Sequence, residues 1–126
     1  MIQSTAAQMD RIMAALQVIR SPLIQEEYDL HHLVRDALTV QGIIPLHEYP
    51  VAPRARVDFF WEGIGVEIKR GKPAPSQLLP QLRRYAASPL IQGLILISER
   101  SVALPGTLMG KPVRTLCLHR LWGISL

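Results

Sequence analysis

Apolar residues recur at helical spacing from about Thr5 to Ile19, where Ala6, Met9, Ile12, Met13, Leu16 and Ile19 share one face. Ser21-Pro22 then reads as a second helix start, with serine at the N-cap and proline at the first position. This helix is expected to run to about Gln41 and stop at Gly42, burying a stripe of Leu23, Leu30, Val34, Ala37 and Leu38. Glu27 falls inside the stripe, His31 lies at its edge and His32 points away. Ile43 to Val51 reads as a strand whose prolines favour an edge or a bulge. Two runs rich in β-branched and aromatic residues, Arg56–Trp61 and Ile64–Lys69, flank Glu62-Gly63, which is the pattern of a hairpin with a two-residue loop. A basic loop follows, then a helix over about Gln77–Ala87 with Ser76 available as its cap and Pro80 arguing for a late start. Gly93–Ser98 is a continuous apolar run, as in a fully buried strand. Val113–Leu118 is a last strand, and Leu121–Ile124 packs behind it. The predicted class is an α/β sandwich, a mixed central sheet flanked by helices.

The hairpin fixes which side chains meet. With Glu62 and Gly63 as the loop, Trp61 opposes Ile64, Phe59 opposes Val66, Asp58 opposes Glu67 and Arg56 opposes Lys69. Alternation along the strands puts Val57, Phe59, Trp61, Val66 and Ile68 on one face and Arg56, Asp58, Glu67 and Lys69 on the other. Directly opposed side chains have Cβ atoms roughly 4.5–5.5 Å apart, and like charges there destabilise a sheet. A divalent cation bridging Asp58 and Glu67, with Lys69 beside it, accounts for the pair. The plainer account, an ion pair of Lys69 with one acid on a solvent-facing sheet, leaves the other acid unexplained.

Composition narrows the choice. A chain of 126 residues, 48% hydrophobic and 19% charged, fits one globular domain over 1–126, with residues 1–20 as an N-terminal amphipathic element and a candidate dimerisation surface. The first residues do not form a signal-peptide pattern, no apolar run approaches ~20 residues, and Cys117 is the only cysteine, so a cytoplasmic protein without membrane association is expected. The formal charge of +4 permits a polyanionic partner. Arg54, Arg56, Arg70, Lys72, Arg83 and Arg84 surround the acids and suit a phosphodiester, although such charges are also common on solvated faces. Neither a serine or cysteine nucleophile signature nor a glycine-rich phosphate loop is present.

Asp58, then Glu67-x-Lys69, preceded by a helical acid and followed by Gln81-x-x-x-Tyr85, resembles the PD-(D/E)XK nuclease superfamily over roughly Glu26 to Ser98. Val57 stands where the superfamily's proline would precede the first acid. The resemblance implies a restriction-endonuclease-like sandwich of the Holliday-junction-resolvase or Gln-x-x-x-Tyr exonuclease type, acting on nucleic acid, with DNA preferred and RNA the alternative. It also implies Mg²⁺ (or Mn²⁺) held by Asp58, Glu67 and the Ile68 carbonyl, and Lys69 activating or positioning the attacking water. A further acid from the first core helix is implied, with Glu26, Glu27 and His31 as alternatives and Glu27 preferred as catalytic and metal-binding. Gln81 and Tyr85 would face the metal site and substrate, although the same spacing serves a plain amphipathic helix. Arg83, Arg84 and His31 are implied phosphate contacts. His32, His47 and His119 show no ligand spacing and read as incidental. A non-catalytic nucleic-acid-binding module is the competing expectation, and a homodimer is expected for the whole.

Overall fold

The computed structural model describes residues 4–20 and 27–123, and of Glu27 and Tyr28 the backbone alone. Its elements are α1 (Thr5–Leu16), α2 (Glu27–Val40), β1 (Leu46–Ala52), β2 (Ala55–Trp61), β3 (Ile64–Lys69), α3 (Pro75–Ala86), β4 (Gly93–Ser98), β5 (Thr107–Leu108), β6 (Lys111–Cys117) and α4 (Leu118–Leu121). The strands form one mixed sheet in the order β1-β2-β3-β4-β6-β5. The first three run antiparallel, β3, β4 and β6 run parallel, and β5 turns back against β6. The α/β class and the mixed sheet expected from the chain are therefore present.

Two cores sandwich the sheet. On one face α1 and α2 bring Met9, Ile12, Leu16, Leu30, Val34 and Leu38 onto Phe59, Val66, Ile68, Ile95 and Ile97. On the other, α3 brings Leu78, Leu82, Tyr85 and Ala86 onto Val57, Leu94, Leu96 and Val113. Strand β4 is buried along its whole length because helices cover both its faces, which is why its sequence is apolar at successive positions and does not alternate.

Ser4 starts α1, its Oγ accepting from Ala7 N at 3.1 Å. Met9, Ile12 and Leu16 are fully enclosed by the chain's own sheet and α2. The apolar face from which self-association through α1 was expected is thus consumed inside the molecule. Helix α2 ends as its sequence predicts. Gly42 N donates to Thr39 O and Ile43 N to Leu38 O, while buried Leu38 and Ile43 share the first core, a Schellman arrangement. The expected start at Ser21-Pro22, with Leu23 and Glu26, lies outside the described residues.

Helix α3 begins earlier than expected, at Pro75 with Ala74 as N-cap, and carries Pro80 inside it. The missing Pro80 N–H deprives only an exposed first-turn carbonyl, that of Ser76, which water can satisfy. The burial of Leu78, Leu82 and Tyr85 holds the helix through that position. The Glu62-Gly63 loop has φ of 50° and 83°, both positive as a two-residue type I′ hairpin turn requires. Among the described residues, no helix is long and apolar enough to cross a membrane.

Candidate functional site

Strand β2 does not keep one face. Ala55 and Val57 pack on the α3 side, yet Phe59 and Trp61 pack on the α1/α2 side, with Phe60 now toward α3. Residues two apart on a regular strand share a face, so the alternation breaks at Asp58. Strand β1 breaks in step. Glu48 has φ 50°, His47 stays opposite Phe59, and Tyr49 stays opposite Val57. The expectation that Val57 shares a face with Phe59 is corrected by this paired kink, which simple alternation from the hairpin loop cannot foresee.

The kink parts β2 from β3 where the acids lie. Regular pairing covers Trp61–Ile64, Phe60–Gly65 and Phe59–Val66 and stops there, short of the expected Asp58–Glu67 and Arg56–Lys69 pairs. The two carboxylates then stand in for ladder bonds. Asp58 N donates to Glu67 Oε1 at 3.2 Å, and Ile68 N donates to Asp58 Oδ2 at 2.7 Å. Asp58 and Glu67 are therefore adjacent, but locked crosswise through each other's strands and not simply opposed on a solvent-facing sheet. Ile68 contributes its N–H to this lock, whereas the resemblance called on its carbonyl.

Burial sets the chemistry. The Glu67 side chain is only 4% exposed, and Lys69 Nζ lies 3.4 Å from its Oε2. Desolvation, followed by the neighbouring Asp58 charge, pushes the Glu67 carboxyl up to about 8, against the pull of Lys69. Tyr85, buried on α3, sets its hydroxyl 2.8 Å from Arg56 O and 3.3 Å from Glu67 Oε2, and Gln81 Nε2 donates to it at 3.0 Å. One phenolic proton serves either Arg56 O or Glu67 at a time. Burial and the Glu67 charge hold the Tyr85 phenol above its ordinary value, so it remains a donor. The four-residue spacing of Gln81 and Tyr85 thus does bring both to the acids.

On the opposite face, buried His31 of α2 places Nε2 3.8 Å from Asp58 Oδ2. Its Nδ1 lies 3.2 Å from His47 Nε2, and the His47 ring rests 4.9 Å from that of Phe59. Burial, then the Arg35 charge, lowers His47 below the usual histidine range. His47 was read as incidental, yet it sits at the site's edge. Pairing counted from the Pro53-Arg54 loop would set His47 against Phe60. A register shift between Pro50 and Ala52 brings it opposite Phe59 instead, one residue from Asp58, and local pattern does not show that shift.

The remaining expected residues fall in three groups. Arg54, at φ 60° in the β1–β2 turn, and Arg56, Lys72, Arg83 and Arg84 are all exposed. Arg83 and Arg84 sit in the last turn of α3, where cations also favour the helix dipole. Arg70 is engaged: its Nε lies 3.4 Å from Glu99 Oε1, which also accepts from Gly71 N at 2.7 Å. Glu27 belongs to α2, but its side chain, like Glu26, lies outside the described residues. Among those described, no three His, Cys, Asp or Glu side chains converge to hold a metal ion.

Beside the acids, a cleft of about 140 Å³ is lined by Lys69, Ala74, Gln77 and Gln81. A larger cavity, about 680 Å³, lies at the carboxyl ends of β4 and β6 between Ser98, Cys117 and Arg120, and neither Asp58 nor Glu67 lines either space. The smaller cleft is where chemistry is to be sought, since it alone of the two touches Lys69 and Gln81. No protein-family model matches this chain, and neither a curated protein nor a solved structure matches it.

Proposed function

We propose that this chain is a metal-dependent nuclease with a restriction-endonuclease-like fold, hydrolysing phosphodiester bonds in DNA. One observation carries the reading: a nearly enclosed Glu67 carboxylate is held against Asp58 and Lys69, with its proton affinity raised by burial and by the second acid. A buried pair of like charges is costly unless a proton or a cation neutralises it. Hard carboxylate oxygens are the donors that Mg²⁺ or Mn²⁺ takes, so the residues fit such an ion, with Asp58 and Glu67 as its ligands. When bound, a divalent ion supplies acidification of water and a counter-charge for the phosphate.

The chain's own groups do the rest. Lys69, paired with Glu67 and lining the cleft, is placed to hold a water or to meet charge developing on the phosphate. Tyr85 shares its one proton between Arg56 O and Glu67 and Gln81 steadies the phenol, so α3 sets a polar group against one acid. Asp58 is fixed by Ile68 N and approached by His31. Exposed Arg54, Arg56, Lys72, Arg83 and Arg84 supply positive charge for a polyanion.

The order of a helix, three antiparallel strands carrying the acids, a helix with Gln81 and Tyr85, and a parallel strand agrees with this reading. A binding module without turnover is favoured by a different observation, that each acid already accepts a backbone N–H from across the gap. Labelled duplex, single-stranded, flap and four-way-junction DNA, and RNA, incubated with Mg²⁺ or Mn²⁺ separate the two. Metal-dependent cleavage lost in Glu67→Ala supports the nuclease, whereas binding without cleavage of any substrate supports the module.

A further inference from the structure

We propose that His47 is a positioning residue, which holds the His31 ring so that its Nε2 is presented to Asp58. The inference deepens the nuclease reading and rests on it for its effect on rate, but not for its structural content.

Three contacts define the arrangement. His31 Nε2 stands 3.8 Å from Asp58 Oδ2, His31 Nδ1 stands 3.2 Å from His47 Nε2, and the two rings meet edge to face at 79°. At 3.8 Å the approach of His31 to Asp58 is longer than a hydrogen bond. A carboxylate only accepts, however, and favours a proton-bearing nitrogen turned toward it, so on this proposal the ring proton sits on Nε2. The other nitrogen of a histidine, through its partner, decides which tautomer the ring adopts and how it is turned. For His31 that partner is His47, which holds the ring's far side and keeps its near side aimed at the acid.

His47 is itself held in place. Its ring leans on Phe59 at 4.9 Å, and Phe59 is fully buried between His47 and the first core. The His31 ring also meets Phe59, at 5.9 Å. Glu48, next in β1, takes the positive φ that turns β1 with β2 and leaves His47 on the α2 side. The kink that exposes Asp58 to His31 and the strand position that brings His47 to His31 are therefore one feature. Orientation of Asp58 by a chain of two imidazoles is set by the fold before any substrate arrives.

The experiment compares His47→Gln and His47→Phe in the full chain. Glutamine can offer an amide toward His31 Nδ1, whereas phenylalanine keeps the packing on Phe59 and removes the hydrogen bond. Two readouts are taken: the ring-nitrogen NMR shifts of His31, and Mn²⁺-dependent cleavage resolved into kcat and KM. Thermal melts verify that each variant folds. The expected result is a His31 ring fixed with its proton on Nε2 in the wild type and in His47→Gln, and a mixed tautomer in His47→Phe. In His47→Phe kcat is expected to fall about tenfold, the scale seen when a partner that orients a ligand is removed, with KM little changed. His47→Gln is expected to recover most of that loss.

Unchanged His31 shifts in His47→Phe would overturn the proposal whatever the rates do. Equal loss of rate in both variants, with His31 unmoved, would mean that His47 acts by packing or by touching the substrate, and would also overturn it. If the wild type cleaves nothing, the nuclease reading fails, and the His31 spectrum still decides whether His47 positions the ring.

Discussion

Glu67 is the residue on which the site turns, because its ordinary ionisation is opposed by its surroundings. Its folded value of about 8 lies above the unfolded range near ~4.3, so the native state binds the proton more tightly than the unfolded state. The stability this group contributes is therefore fully present below pH ~4.3 and is lost as the pH rises through about 8. Thermal melts of the metal-free protein are expected to show this decline, and Glu67→Gln is expected to flatten it. Identical pH dependence in wild type and Glu67→Gln would contradict the burial described. Mg²⁺ or Mn²⁺ competes with the proton, so either ion should raise the melting temperature more at pH 8.5 than at pH 5.5. On the reaction itself, Asp58→Asn, Glu67→Gln and Lys69→Ala are each expected to slow cleavage by about a hundredfold or more while the fold persists. Retention of wild-type turnover in any of the three would remove that residue from the site. Tyr85→Phe deletes one donor to Glu67 and should cost less than any of them.

At the scale of elements, close approach is as important as charge. A Cβ on Gly65 would come 3.0 Å from both Ile91 Cδ1 and Leu94 Cδ2 and 3.1 Å from Val57 Cγ1. Gly65→Val should therefore destabilise the protein by about 1–3 kcal/mol through overpacking, measured by denaturant titration. A neutral result would mean that β3 has room on the α3 face. The same element shows what was legible in the chain. The hairpin loop, the Trp61–Ile64 to Phe59–Val66 register, the α2 terminus at Gly42 and the apolar β4 follow from local pattern, because neighbours in sequence decide them. The meeting of Asp58, Glu67 and Lys69 was legible for the same reason. The face change at Asp58 was not, since it depends on β1 turning at Glu48 and on two helical layers claiming alternate stretches of one strand. The contacts of His47 and Glu99 were hidden likewise: each acts on a residue at least 16 positions away.

For the molecule as a whole, the net charge is +4, and exposed Arg54, Arg56, Lys72, Arg83 and Arg84 are the side chains that the proposed function assigns to a polyanion. Each phosphate neutralised adds about 0.9 to the slope of log affinity against log salt. The double variant Arg83→Glu, Arg84→Glu should then lower that slope by about 2 in fluorescence-anisotropy titrations on duplex DNA. A slope that does not move would place the DNA path away from the end of α3. The interrupted pairing of β2 with β3 also has a consequence for how the chain comes together. From the Glu62-Gly63 turn, the hairpin can zip using only short-range contacts as far as Phe59 and Val66. Beyond that point the strands are joined by the two acids, and those depend on Tyr85 and His31 arriving from helices distant in sequence. The tip of the hairpin should consequently belong to the folding nucleus, while the carboxylate end is completed only after α2 and α3 have docked. In native-state hydrogen exchange, the amides of Asp58 and Ile68 are expected to open at lower free energy than those of Phe60 and Val66. A protein built in this order acquires its chemistry last, and a partly folded chain would present a hairpin with no working site.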